Sequence, residues 1–290
     1  MEDKDIFLRI DKMRPSFSKG QNKLADYILS NYDKAAYMTA ARLGEVTGVS
    51  ESTVVRFAMQ LGYEGYPQLQ KDLKNSSLNR MNSLQRIELA SDSIRYEDVL
   101  TKVLHADILK IKETLALIDN ETFLKAVDSI CIAKKVYVIG VRSCAPLAST
   151  LAFYLNLMFE DVILLEHGSP SDLFEQMIHM DLRDVLVAFS FPRYSNRTKN
   201  ACKYARECKA KVITITDSSS SPLQEFADYS LVAKSDMMSI ADSLVAPMSV
   251  INALVVAISI KKQKEVSETF KKLESLWDKH DFYNHKGDTL

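Results

Sequence analysis

Residues Thr39–Ala58 read TAARLGEVTGVSESTVVRFA, and this stretch decides the fold of the N-terminal third of the chain. Ala40, Ala41, Leu43 and Val46 place small and apolar residues on one face of a short helix. Gly48 can take the positive φ that ends such a helix tightly. Val49 is apolar at the turn and plugs the junction between two helices. Ser50 is a good N-cap, so a second helix starts at Glu51. That helix buries Val54, Phe57, Ala58 and Leu61 at helical spacing. Ser50, Glu51, Ser52, Thr53, Arg56 and Gln60 are then its candidate DNA-facing residues. Two short helices, a tight turn and a polar second helix with an arginine in its middle describe a DNA-reading helix-turn-helix; a plain helical hairpin is the bland alternative.

Working outward, residues 1–77 read as all helix. Ile6, Ile10 and Met13 share one face of a first helix that Pro15 ends. Ser18 and Gln21 form a capping box for a second helix carrying Leu24, Tyr27, Ile28 and Tyr32. Leu61–Pro67 makes a turn, and Pro67 suits a first helical position before a last helix to about Asn75. Residues 75–93 are polar and rich in Ser and Asn, the composition of a linker. The expected division is a helix-turn-helix domain over 1–77, a linker over 78–94 and a second domain with flanking helices over 95–290. A long helix from Tyr96 to Ile118 carries Val99, Val103, Ala106, Leu109, Ile111 and Leu115, a docking or dimerising surface.

After Lys134 the period changes. Val136–Ile139, Val162–Leu165, Val185–Phe189, Val212–Ile215 and Ser230–Val232 are short runs rich in β-branched residues. Helical segments lie between them near Pro146–Phe159, Ser171–Ile178, Thr198–Cys208 and Pro222–Ala227. This alternation predicts a doubly wound α/β domain with a parallel sheet covered on both faces. Helices over Ala241–Lys262 and Val266–Lys279 close the chain.

Charge gives no general argument for nucleic acid: the net charge of the 290 residues is −1. Residues 1–77 hold 11 Lys and Arg against 10 Asp and Glu, so a DNA reader here must place its cations locally or act as an oligomer. The four cysteines, at 131, 144, 202 and 208, lack metal-site spacing, and no metal or cofactor is expected. The charged start Met-Glu-Asp-Lys-Asp is unlike a signal peptide. The apolar run Leu244–Ile260 contains Pro247, Ser249, Asn252 and Ser259, which suits a buried helix better than a membrane span. A cytoplasmic protein without a membrane partner is expected.

In open parallel sheets, ligands bind at the carboxyl ends of the strands. After the first strand, Gly140 permits a tight turn, Ser143 offers a hydroxyl and Pro146 sits just inside the next helix. A dinucleotide fingerprint would need Gly at 142 and 145, which are Arg and Ala. After the third strand, Ser190, Ser195 and Thr198 converge with Arg193 and Arg197 before a helix N-terminus, a set suited to a phosphate or a polyol. After the fourth, Asp217–Pro222 is either an ordinary helix cap or a ligand contact.

These residues carry a resemblance. Val49–Pro67 is similar to the recognition-helix segment of the RpiR family of bacterial transcriptional regulators. The stretches VIGVRSC (138–144) and AFSFPRYSNRT (188–198) resemble the two sugar-phosphate loops of its sugar isomerase (SIS) domain. The resemblance implies an N-terminal helix-turn-helix domain that binds a double-stranded operator and a SIS domain that senses a phosphosugar effector. It carries the ligand-loop hydroxyls over to Ser190, Ser195 and Thr198. SIS domains often have Gly-x-Gly-x-Ser in the first loop; this chain departs from it with Arg142 and Cys144, leaving Ser143 as the nearest hydroxyl, and Asn196 stands where a Gly is common. A homodimer or homotetramer through the apolar helices is expected. The competing readings are a phosphosugar isomerase with an accessory helical domain, whose bases would come from Glu166, His167, Glu175 or His179, and a DNA-binding protein whose second domain only dimerises.

Overall fold

The computed structural model describes residues 6–80, 87, 95–165, 170–235 and 241–280. They fall into two compact units that divide between Val99 and Leu100. Nearly all of the expected linker over 78–94 lies outside the described residues.

The first unit is helical. Helix α1 (Ile6–Met13) ends in a 3-10 turn, Arg14–Ser16, where Pro15 has no N–H to continue the ladder. Helix α2 (Lys19–Ser30) starts with the expected capping box: the Ser18 hydroxyl accepts from the Gln21 N–H and the Gln21 side chain accepts from the Ser18 N–H. Tyr32 lies beyond that helix, in the single turn α3 (Tyr32–Ala35). Helices α4 (Ala40–Thr47) and α5 (Glu51–Gln60) form the helix-turn-helix. Helix α6 (Tyr66–Arg80) runs past Asn75, further than its polar composition suggests. Ile6, Phe7, Ile10, Leu24, Ile28, Leu43, Val54, Phe57, Leu69 and Leu73 form a core from which water is excluded. Burying each such side chain contributes about 1.5–3 kcal/mol.

One expectation is corrected in α4. Leu43 and Gly44 are its buried residues, while Ala41 and Val46 are exposed. Close packing selects the face: a Cβ on Gly44 would lie 2.8 Å from the Val49 carbonyl oxygen. The turn approaches the helix along the one position that has no side chain.

The second unit opens with α7 (Val99–Leu117) and α8 (Asn120–Ile132), the latter unmarked in the sequence reading. Strands β1 (Val136–Gly140), β2 (Val162–Leu164), β3 (Val185–Phe189), β4 (Lys211–Thr216) and β5 (Tyr229–Val232) pair in parallel in the order β2-β1-β3-β4-β5. Helices α9 (Ala145–Asn156), α10 (Pro170–Met177) and α11 (Asn196–Glu207) connect the first four. The expected helix near Pro222–Ala227 is a set of turns instead. Six residues between two strands gain too few hydrogen bonds to offset helix nucleation. Helices α12 (Val245–Lys261) and α13 (Gln263–Lys279) follow.

Alternate strand residues feed two cores. Val136, Val138, Val185, Val187, Ile213 and Ile215 face α8, α9 and α12. Tyr137, Ile139, Leu186, Ala188 and Val212 face α10 and α11. Both faces are covered, which explains the continuous apolar runs. Helix α12 buries Ala246, Val250, Ile251, Leu254 and Ile258. Among the described residues no single helix is long and apolar enough to cross a membrane.

Candidate functional site

The recognition element is α5. Gly48 adopts φ 68° and ends α4, and the Ser50 hydroxyl caps α5 by accepting from the Thr53 N–H at 3.3 Å. Ser50 is therefore used in building the helix; its oxygen also lies 2.9 Å from Ser52 Oγ and 2.8 Å from Thr53 Oγ1. Glu51, Ser52 and Arg56 are exposed, and the Arg56 Nε donates to the Ser52 carbonyl, which lays the guanidinium along the helix surface. Gln60 departs from the expectation. Its amide donates to the Ser16 carbonyl at 3.1 Å and accepts from the Gln21 side chain at 2.5 Å. It clamps α5 to the start of α2, and its polar groups are committed inside the domain. At the far end of the helix, Arg9 donates to the Leu61 carbonyl at 3.1 Å, satisfying a carbonyl that the last turn leaves open. Gly20 packs against Val49 and Thr53, which brings the first turn of α2, with Lys19, beside the start of the recognition helix.

The second candidate site lies at the carboxyl ends of β1 and β3. The chain passes from β1 outward to β2 and then returns to β3 on the other side of β1, so the strand order reverses between β1 and β3. Ligands of open α/β sheets bind at this kind of crevice. Gly140 and Phe189 are paired at the ends of the two strands, so the loops that follow lie side by side. A Cβ on Gly140 would lie 2.3 Å from the Cys144 carbonyl oxygen, so only glycine lets the first loop fold back this closely.

The structure brings three predicted residues of the β3 loop together. Ser190 Oγ accepts from the Ser195 N–H at 3.2 Å, and Ser195 Oγ caps α11 by accepting from the Thr198 N–H at 3.5 Å. Thr198 is fully buried, and its hydroxyl has no hydrogen-bond partner. A buried hydroxyl without a partner is costly and marks a place where something else supplies one. Arg193 is exposed beside them. Ser143 is placed differently: its hydroxyl donates to Asp242 at 2.9 Å.

Residues missed by the sequence reading lock this loop to the next one. The Tyr194 hydroxyl donates to Asp217 at 2.8 Å, and the Thr216 hydroxyl donates to the Ser190 carbonyl at 2.7 Å. Burial raises the Asp217 carboxyl above its ordinary range, against the opposing pull of Tyr194. Burial, and then the Asp217 charge, push the Tyr194 phenol upward. Ser221 caps a turn rather than a helix, accepting from the Leu223 N–H at 3.3 Å. No sequence spacing announces these pairs, because each joins two different strand-end loops. Of the candidate isomerase bases, Glu175 and His179 are exposed, and Glu166 and His167 lie outside the described residues.

The comparisons with known proteins agree with this architecture. Residues 4–79 match the helix-turn-helix domain of the rpiR family, and residues 129–257 match the SIS domain. An HTH-type transcriptional regulator of Clostridium perfringens is 28% identical over 228 residues, covering 78% of this chain and 80% of its own length. The sugar isomerase domain of an RpiR transcription factor from Sphaerobacter thermophilus superposes with a TM-score of 0.59 at 27% identity, over 61% of this chain and 99% of that one. The Vibrio vulnificus NanR protein, solved with ManNAc-6P, has a TM-score of 0.58 at 21% identity over 94% of this chain and 98% of its own. The fold and its two sites thus define a transcriptional regulator built from a helix-turn-helix domain and a SIS domain, not an enzyme. The chain belongs to the RpiR family.

Proposed function

We propose that this regulator binds an operator through α5 and that a phosphorylated sugar, held at the N-terminus of α11, alters that binding. The observation that carries the effector site is the buried, unpartnered Thr198 hydroxyl beside Ser190 and Ser195. The first-turn amides of α11 and the positive end of its dipole favour an anion at this place. Arg193 supplies a cation at the rim, and Ser143, held by Asp242, is an accessory contact. NanR, similar over nearly the whole chain, is a ManNAc-6P complex, which supports a sugar phosphate in the same fold. An effector changes DNA affinity only if it prefers one state of the protein, and couplings of this kind are about 1–3 kcal/mol. Replacing both Ser195 and Thr198 by Ala should abolish the effector response in a DNA mobility assay and leave effector-free operator binding intact. A normal response in the double variant would remove the phosphate from this loop.

On the DNA side, Ser52, Thr53 and Arg56 are the residues proposed to reach the groove, with Glu51 and Ser50 at the helix start. Arg56→Ala should weaken operator binding by about 1–3 kcal/mol if its fork holds a guanine, with unchanged melting. Equal affinity for wild type and variant would take Arg56 off the reading face.

The protein is proposed to act as a homodimer or homotetramer through its second unit. Leu100, Leu104, Ile108 and Leu115 form an exposed stripe on α7, and Val256 and Ile260 are exposed on α12. The same helices, with α8, flank an apolar cleft of about 400 Å³ lined by Ile111, Leu115, Phe123 and Val250. Apolar area of this kind on a monomer usually marks an association surface, and two half-sites need two reading helices. Light scattering should give twice or four times the 32.8 kDa chain mass; a monomer at micromolar concentration contradicts the proposal.

A further inference from the structure

We infer that the effector is a phosphorylated sugar acid, whose carboxylate is bound by Arg142 and Arg193. The inference rests on the reading of the α11 site as a phosphate site and adds a second anionic group to its ligand. Three side-chain hydroxyls and the amides of a helix N-terminus already supply the donors a phosphate needs. Two guanidinium groups remain. Arg142 follows β1 and Arg193 follows β3, and both are exposed. The ladder pairs Gly140 with Phe189, and the Phe191 N–H hydrogen-bonds to the sulfur of Cys144, so the two loops touch. Neither arginine has an ion pair or a side-chain hydrogen bond among the described residues. The carboxylates at this end of the sheet, Asp217 and Asp242, are held by the hydroxyls of Tyr194 and Ser143 instead.

The backbone sharpens the point. Arg142 has φ 57° and Arg193 has φ 68°, a region where glycine sits freely and other residues are strained. Among the described residues the only other non-glycine residue in this region is Lys209. It follows the end of α11, where the left-handed conformation is a normal helix stop. The two loop positions have no such structural reason, and stability alone would favour glycine at both. What arginine adds is a planar, permanently charged fork, the geometry that matches a carboxylate.

The test uses the full-length protein in titration calorimetry with inorganic phosphate, glucose 6-phosphate and 6-phosphogluconate. The two sugars share a carbon chain and a phosphate and differ at C1, where the second carries a carboxylate. The expected result is that 6-phosphogluconate binds at least about tenfold tighter than glucose 6-phosphate, a difference of about 1.4 kcal/mol. Arg142→Gln should erase that preference while the affinity for glucose 6-phosphate stays the same. Arg142→Gly should erase it too, and should melt no lower than the wild type because the strain is relieved. Phosphate binding with no gain from the carboxylate, or a preference that survives Arg142→Gln and Arg193→Gln, overturns this inference and leaves the phosphate site standing. Absence of binding by all three probes overturns the phosphate site and the inference together.

Discussion

Phe57→Ala is expected to cost the helical unit about 3–5 kcal/mol. Phe57 has no solvent exposure and packs its ring against Phe17 with centroids 5.1 Å apart. It projects from the buried face of α5, the helix whose opposite face carries Arg56. Removing the ring leaves a cavity between α5 and the chain just before α2, a region that Gln60 already ties together. A unit of this size has only a small margin of stability, so most of it should be unfolded near 37 °C. Urea denaturation followed by circular dichroism should show an early loss of helix in the variant. Operator binding should disappear with it. Arg56→Ala, by contrast, should lose affinity without losing helix. A Phe57→Ala protein that melts like the wild type would mean that α5 is held by contacts other than this core.

Gly140→Ala is expected to cost about 3 kcal/mol, at the upper end of overpacking penalties. The added methyl would stand 2.3 Å from the Cys144 carbonyl oxygen, 2.8 Å from its carbonyl carbon and 3.0 Å from the Ala148 Cβ. Two of these three atoms are backbone, so relief requires moving the start of α9 away from the sheet. That shift would also displace the loop carrying Arg142. The variant should therefore show both a lower melting temperature and a weakened response to effector. Gly65→Ala is the control, since its Cβ would meet nothing closer than the Pro67 Cδ at 3.7 Å. Equal stabilities for the two variants would show that the first loop can relax without cost.

Much of this architecture was legible because its determinants are local. The turn of the helix-turn-helix needs a residue at positive φ and a capping hydroxyl two positions later, and Gly48 and Ser50 supply them. The capping box at Ser18 and Gln21 spans four consecutive residues. The five strands stood out as apolar runs because a parallel sheet covered on both faces cannot alternate polar and apolar residues. Helix α8 escaped notice although Ala126, Val127 and Ile130 fall on one face at helical spacing. The turn at Pro222 imitated a helix start, because Ser followed by Pro serves both.

The sequence by itself determined the two kinds of fold, their order along the chain, the recognition helix and the β3 loop with its hydroxyls. All of these follow from patterns within about twenty neighbouring residues. Only the tertiary structure decided how those side chains are used. Gln60 is drawn inward by Ser16, 44 residues away, and Ser143 is held by Asp242, 99 residues away. The strand order that puts the β1 and β3 loops side by side is likewise a long-range property, and so is the burial that leaves the Thr198 hydroxyl without a partner. A hydrogen-bonding group can be recognised from its residue type, but its partner is set by which segments the packed core brings into contact.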